Sequence, residues 1–205
     1  MDYTTARAHL LQADPVIAQL VKANPDYEPR AWTKTLPKMD AFGTIIFQIA
    51  GQQISVAATR SIIKKLTDSF GGKLPTHSQL LAAKTEVIRN AGFSARKAET
   101  IRAVAEEFQN GNLSMTKLKK LPDDEVEALL TRITGIGPWT AQGFLIIALH
   151  REDVVLPGDL ALRKSIQRAY KLKQMPSQDE VLSIAEAWRP YRTLATSYLF
   201  SAAFT

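Results

Sequence analysis

The sequence predicts an all-α protein built as two helical lobes. Three observations point there. Apolar residues recur at three- and four-residue spacings along almost the whole chain, which puts a stripe on one face of a helix. Ser, Thr and Asp stand just ahead of those stripes, and Gly or Asn-Gly just behind them, as helix ends require. The alternating apolar and polar pattern of a half-buried strand is missing. Counting caps and periods gives about ten short helices.

The elements follow in order. Asp14-Pro15 opens a helix with Val16, Ile17, Leu20 and Val21 on one face, the proline sitting in the first turn, where it costs no hydrogen bond. Residues 24–40 hold Pro25, Pro29 and Pro37 without a period and read as a connector. Ile45, Ile46 and Ile49 predict a buried helix that stops at Gly51, and Ser55 caps the next, with Ile62, Ile63, Leu66 and Phe70 inward and Gly71-Gly72 as its stop. Thr76 and Gln79 form a capping box ahead of Leu80 and Leu81, in a short helix broken at Gly92. Ser94 caps a helix bearing Ile101, Val104, Ala105 and Phe108, ended by Asn110-Gly111. Asp123 or Asp124 opens the helix of Val126, Leu129, Leu130 and Ile133, and after a glycine turn Phe144, Leu145, Ile147 and Ala148 fill another face. A helix from Leu160 to Tyr170 carries Leu162, Ile166 and Ala169. Ser177 and Glu180 make a second capping box before Val181, Ile184, Ala185 and Trp188; Pro190 interrupts, and a last helix runs toward Phe204. The proline-rich connector and the loop at 150–158 are the hinge positions. Residues 1–40 with 150–205 then form one lobe, and 41–149 the other.

Composition removes several function classes. The 205 residues are 45% hydrophobic, ample for a core, yet no apolar run reaches membrane-spanning length. There is no cysteine, so disulfides, a thiolate nucleophile and a cysteine-ligated iron–sulfur cluster are excluded. His9, His77 and His150 show no metal-ligand spacing, which argues against zinc. The net charge of +6 suits a polyanionic partner. The first residues lack the basic start and apolar stretch of a signal peptide, so the expected location is the cytoplasm, in association with the nucleoid.

The most informative stretch runs from Leu130 to Leu149. An apolar helix end meets Gly135-Ile136-Gly137, and Pro138-Trp139-Thr140-Ala141 opens a second apolar helix. Two glycines let the backbone turn sharply at little steric cost. The helix start that follows leaves backbone N–H groups unpaired and aimed at an anion. This is the physics of a helix-hairpin-helix clamp on DNA phosphates, a motif that also occurs in ligases, nucleases and polymerases. Further on, Leu156-Pro157-Gly158-Asp159 stands at the mouth of another helix. Read locally, Asp159 is an N-cap.

Three segments in this order resemble one family: Gly51-Gln52-Gln53-Ile54-Ser55-Val56, then Gly92-Phe93-Ser94-Ala95-Arg96-Lys97-Ala98, then the glycine hairpin with Leu156-Pro157-Gly158-Asp159 downstream. The family is the helix-hairpin-helix DNA glycosylases, in the 3-methyladenine DNA glycosylase II branch, and the resemblance spans roughly residues 40–205. It implies two lobes with a DNA-binding cleft between them, a monomer acting on duplex DNA that contains damaged bases, and hydrolysis of the N-glycosidic bond of alkylated purines in base excision repair.

The resemblance also assigns residues. Asp159 becomes the catalytic carboxylate, stabilising positive charge on the sugar as the bond breaks; the cap and the catalytic role can coexist. Gln53 takes the wedge position that fills the gap left by an extruded nucleotide, although on its own it reads as a turn residue. Trp139 stands where strand-cutting relatives place a Schiff-base lysine, which implies a monofunctional enzyme. Its indole, with Phe47, Tyr198 and Phe200, is a candidate lining for the base pocket, against the alternative that each is ordinary core. Gly143 replaces a tyrosine of some relatives, which implies a more open pocket. Gly135, Ile136, Gly137 and Thr140 would meet phosphate through the hairpin, and Arg96 and Lys97 through their charge. Related hairpins hold a monovalent cation, Na+ or K+, on backbone carbonyls; Thr131, Ile133 and Ile136 would supply them here, in a structural role, and no other cofactor is implied. Two rivals stay open: a hairpin protein that grips DNA without chemistry, and a glycosylase for deaminated, oxidised or mismatched bases.

Overall fold

The structure is a computed structural model that describes residues 3–202, so Phe204, where the last helix was expected to lead, lies outside the described residues. Among the described residues the chain forms thirteen α-helices and two short 3-10 turns, with no strand. The helices are α1 (Tyr3–Ala13), α2 (Pro15–Ala23), α3 (Ala41–Gly51), α4 (Val56–Ser69), α5 (His77–Ala82), α6 (Thr85–Asn90), α7 (Ala95–Gln109), α8 (Met115–Lys120), α9 (Asp123–Thr131), α10 (Pro138–Ile147), α11 (Leu160–Ala169), α12 (Gln178–Ala185) and α13 (Arg192–Ser201). The all-α class agrees with the helical spacings. Three helices exceed the sequence count. In α1 only Ala6 and Leu10 are buried, too few to draw a stripe. The stretch 77–92 is two helices, α5 and α6, because Arg102 takes the carbonyls of Leu81 and Ala83 at 3.1 and 3.0 Å and so ends α5 early. The brief α8 buries Leu118 alone.

The contacts divide the chain into two units, Met1–Leu36 with His150–Thr205, and Pro37–Leu149. The first unit packs α1, α2 and α11–α13 around Leu10, Ile17, Leu162, Ile166, Trp188, Leu194 and Tyr198. Among its described residues one carboxylate is deeply placed, and both of its oxygens are used. Asp14 Oδ1 caps α2 by accepting from the N–H groups of Val16 and Ile17 at 2.8 and 2.9 Å, and Oδ2 accepts from the Tyr170 hydroxyl at 2.7 Å. Burial first, and the Asp14 bond second, push the Tyr170 phenol far above its usual pKa.

In the second unit α3 is buried along almost its whole length and packs against α4, α7 and α10. A helix apolar all round can only be central. Its Ala50 and Gly51 end feeds the Gln52-Gln53 loop, so the most deeply buried helix of this unit carries one of the segments singled out above.

Candidate nucleic-acid interface and catalytic carboxylate

The hairpin joins α9 to α10 through residues 132–137. Inside the turn, Ile133 N donates to Leu130 O at 3.1 Å and Ile136 N to Ile133 O at 3.0 Å, while Thr140 N and Ala141 N both donate to Gly137 O. The two glycines differ in what requires them. Gly135 has φ +94°, and a Cβ there would stand 2.0 Å from Thr100 Oγ1 of α7, so both backbone and packing demand glycine. Gly137 is the N-cap of α10 with φ −103°, and a Cβ there would meet nothing within 4 Å. Nothing in this unit needs glycine at 137; an outside group approaching the bare backbone would. The α10 start has no side-chain cap, which leaves it suited to an anion. The side chains of Ile136 and Thr140 are buried, so both can offer only backbone to a partner.

The Gln52-Gln53 loop is fastened to this hairpin. Gln52 Nε2 donates to Gly135 O at 3.0 Å and to Thr140 Oγ1 at 2.9 Å. From the other side Lys97 Nζ donates to Ala50 O at 3.0 Å and to Gln52 O at 2.9 Å, and partial burial lowers its pKa. Two of the ammonium's three donors therefore brace the loop; Arg96 beside it is exposed. Gln53 follows with φ +60°, a left-handed backbone that costs a non-glycine residue about 1 kcal/mol or more and that persists where its surroundings impose it. Its side chain is exposed, and the apolar neighbours Ile54 and Val56 are 40% and 65% exposed. Sequence reasoning singled out Gln53 and missed Gln52 and the bracing role of Lys97.

The pocket candidates separate. Trp139 is half-buried, and its ring lies over the end of α3: a Cβ on Gly51 would stand 3.9 Å from the indole. Phe47 is half-buried in an otherwise enclosed stretch of α3. In the first unit Phe200 is half-buried on α13, whereas Tyr198 has no accessible surface; its hydroxyl accepts from Arg7 Nε at 2.9 Å and its ring packs on Tyr27. Tyr198 is thus a core residue with nothing to offer a base, a correction to the sequence reading. Gly143 is a second correction. It does not open a space, because the amide of Gln48 from α3 fills the position a side chain would take.

Asp159 is the N-cap of α11. Its Oδ1 accepts from Leu162 N at 2.8 Å, so the cap needs one of the two carboxylate oxygens, and the residue is half-buried. The segment leading to it is fixed at both levels. Val154, Val155 and Leu156 are buried, and Thr193 of α13 ties the backbone down, donating its N–H to Glu152 O and accepting from Val154 N, both at 3.0 Å. Asp153 pairs with Arg192 at 2.7 Å and Arg189 at 2.6 Å. Leu160, next to the carboxylate, is 52% exposed.

Among the described residues, no group of His, Asp or Glu has metal-site geometry, and no helix is long and apolar enough to cross a membrane.

Comparison with known proteins agrees with this picture. Residues 46–190 match the family model of the HhH-GPD superfamily base excision DNA repair proteins. DNA-3-methyladenine glycosylase 1 of Schizosaccharomyces pombe is 31% identical over 199 residues, covering 96% of this chain and 86% of that protein. DNA-3-methyladenine glycosylase 2 of Escherichia coli is 28% identical over 173 residues, covering 79% and 57%. The solved structure of the S. pombe 3-methyladenine DNA glycosylase in complex with abasic DNA superposes with a TM-score of 0.90 at 30% identity, over 98% of this chain and 97% of that one. The chain belongs to the HhH-GPD superfamily of base excision DNA repair proteins.

Proposed function

We propose that this chain is a monofunctional DNA glycosylase that releases alkylated purines, of the 3-methyladenine and 7-methylguanine type, from duplex DNA. The observation that carries the reading is the anchored carboxylate of Asp159, half-buried at the mouth of α11 with Oδ1 capping the helix. A damaged nucleotide must leave the stack before its glycosidic bond can be reached, at a cost of a few kcal/mol. Backbone N–H groups at Gly135 and Gly137 grip phosphate, and Gln53, with exposed Ile54 and Val56 around it, enters the gap. The C1′–N bond then breaks and the base departs with the electron pair. Positive charge gathers on the sugar, and Asp159 stabilises it. A water oxygen bonds to C1′, giving up its proton to Asp159 or to solvent. An alkylated base is already cationic and needs no strong acid to leave. Trp139 cannot form a Schiff base, so the product is an abasic site with an intact strand. Trp139 and Phe47 are the residues assigned to the lining of the base pocket. The carbonyls of Thr131 and Ile136 take none of the turn's own hydrogen bonds, and with Ile133 O they would hold a sodium or potassium ion, which would supply positive charge at the hairpin. The enzyme works as a monomer on nucleoid DNA.

The cap bond itself favours a second reading, in which Asp159 is structural and the protein only grips DNA. Asp159→Asn separates the two. Asn caps as well as Asp, so stability stays within a few tenths of a kcal/mol. Release of 3-methyladenine from methylated DNA falls about 100-fold or more while binding to a lesion duplex is kept. Unchanged release removes the catalytic role; a panel of duplexes with deaminated, oxidised and mismatched bases tests the substrate class.

A further inference from the structure

Gln48 of α3 is 6% exposed, and its amide makes no hydrogen bond among the described residues. The little surface that it keeps includes the amide, which is not sealed off from solvent. A buried, unpartnered amide is unfavourable. So is a glycine in the middle of a helix, and Gly143 in α10 is there for the same amide: a Cβ on Gly143 would stand 2.6 Å from Gln48 Cδ and Oε1 and 2.7 Å from Nε2. Two unfavourable choices on two helices thus converge on one point. Trp139 precedes Gly143 by four residues and lies on the same side of α10. The amide is therefore set one helical turn from the half-buried indole, where α3 packs against α10.

We propose that the Gln48 amide reads the polar edge of the extruded purine. This rests on the glycosylase reading and on Trp139 lining the base pocket. A carboxamide presents an acceptor and a donor side by side, which matches the 6-amino group and N7 of a 6-aminopurine such as 3-methyladenine. The same residue would be poorly matched to a base that presents only acceptors there.

Gln48→Met keeps the volume and removes both polar atoms. Single-turnover release of 3-methyladenine is expected to fall about tenfold or more. Affinity for a duplex holding an abasic site, which has no base to read, is unchanged, and Tm is unchanged or higher because an unpaired amide has been removed. Gly143→Ala, which displaces the amide, repeats the loss of release with abasic-site affinity retained. Release by Gln48→Met equal to wild type overturns the inference alone. A parallel fall in release, abasic-site affinity and Tm overturns it in favour of a packing role. A wild-type protein that releases no base from methylated DNA overturns the glycosylase reading and this inference together.

Discussion

The hairpin glycines give a prediction in which one substitution type has opposite consequences at positions two residues apart. At Gly135, alanine must adopt φ +94° and bring its Cβ to 2.0 Å from Thr100 Oγ1. The backbone conformation costs about 1–2 kcal/mol. Thr100 is buried, and its hydroxyl is held by Arg96 O at 3.0 Å, so the clash adds about 1–3 kcal/mol of overpacking. The sum of about 2–5 kcal/mol lowers Tm by roughly 5–15 °C in a domain of this size. At Gly137 the added methyl meets nothing within 4 Å and φ is −103°, so Tm should hold within about 2 °C. There the methyl stands where a phosphate would reach the backbone. Losing one charge-assisted hydrogen bond of about 1.5–3 kcal/mol weakens duplex binding by about 10- to 100-fold. Thermal unfolding and DNA titration at fixed salt read the two effects. Gly137→Ala binding like wild type would refute the phosphate role, and a wild-type Tm for Gly135→Ala would refute the account of the turn.

Three further outcomes follow from other parts of the site. Borohydride added during turnover should capture no covalent protein–DNA species, since Trp139 replaces the amine that a Schiff base needs; capture would overturn the monofunctional assignment. Lys97→Met frees the carbonyls of Ala50 and Gln52, so Tm should drop by a few degrees and duplex affinity with it; unchanged affinity would show that bracing the Gln53 loop is irrelevant to binding. Glu180 is held below the usual glutamate range first by the Ser177 backbone N–H and then by the Ser177 hydroxyl. Its folded pKa is depressed, so the stabilisation is complete at neutral pH and fades as pH falls through that pKa. Glu180→Gln should therefore show a shallower loss of Tm between about pH 5 and pH 3 than wild type.

What the sequence discloses is whatever local chemistry determines. The caps at Asp14, Ser55, Thr76, Ser94, Asp159 and Ser177 are each visible as a residue type ahead of an apolar stripe, and each makes its backbone bond in the structure. Gly135 is legible because a tight turn needs a left-handed residue. Long-range partners leave no such trace. Tyr198 looks like any aromatic on a C-terminal helix until Arg7, far away in sequence, is seen on its hydroxyl. Gly143 looks like missing bulk, although the bulk is supplied by Gln48 from another helix. In both cases the residue's meaning is set by a neighbour that spacing along the chain cannot reveal.

The adjacent glutamines make the same point where it bears on function. By type and neighbourhood Gln52 and Gln53 are interchangeable, and either could serve as a wedge. They are sorted by partners more than forty positions away: Gly135 O and Thr140 Oγ1 draw the Gln52 side chain inward, and Lys97 holds its carbonyl from behind. With Gln52 pinned at both ends, the chain must turn within one residue to reach the cap at Ser55. That turn puts Gln53 in the left-handed region with its side chain outward. The same bonds that close the hairpin therefore also aim Gln53. A change at Thr140 or Lys97, neither of which would need to touch a base, should disturb extrusion as well as phosphate binding.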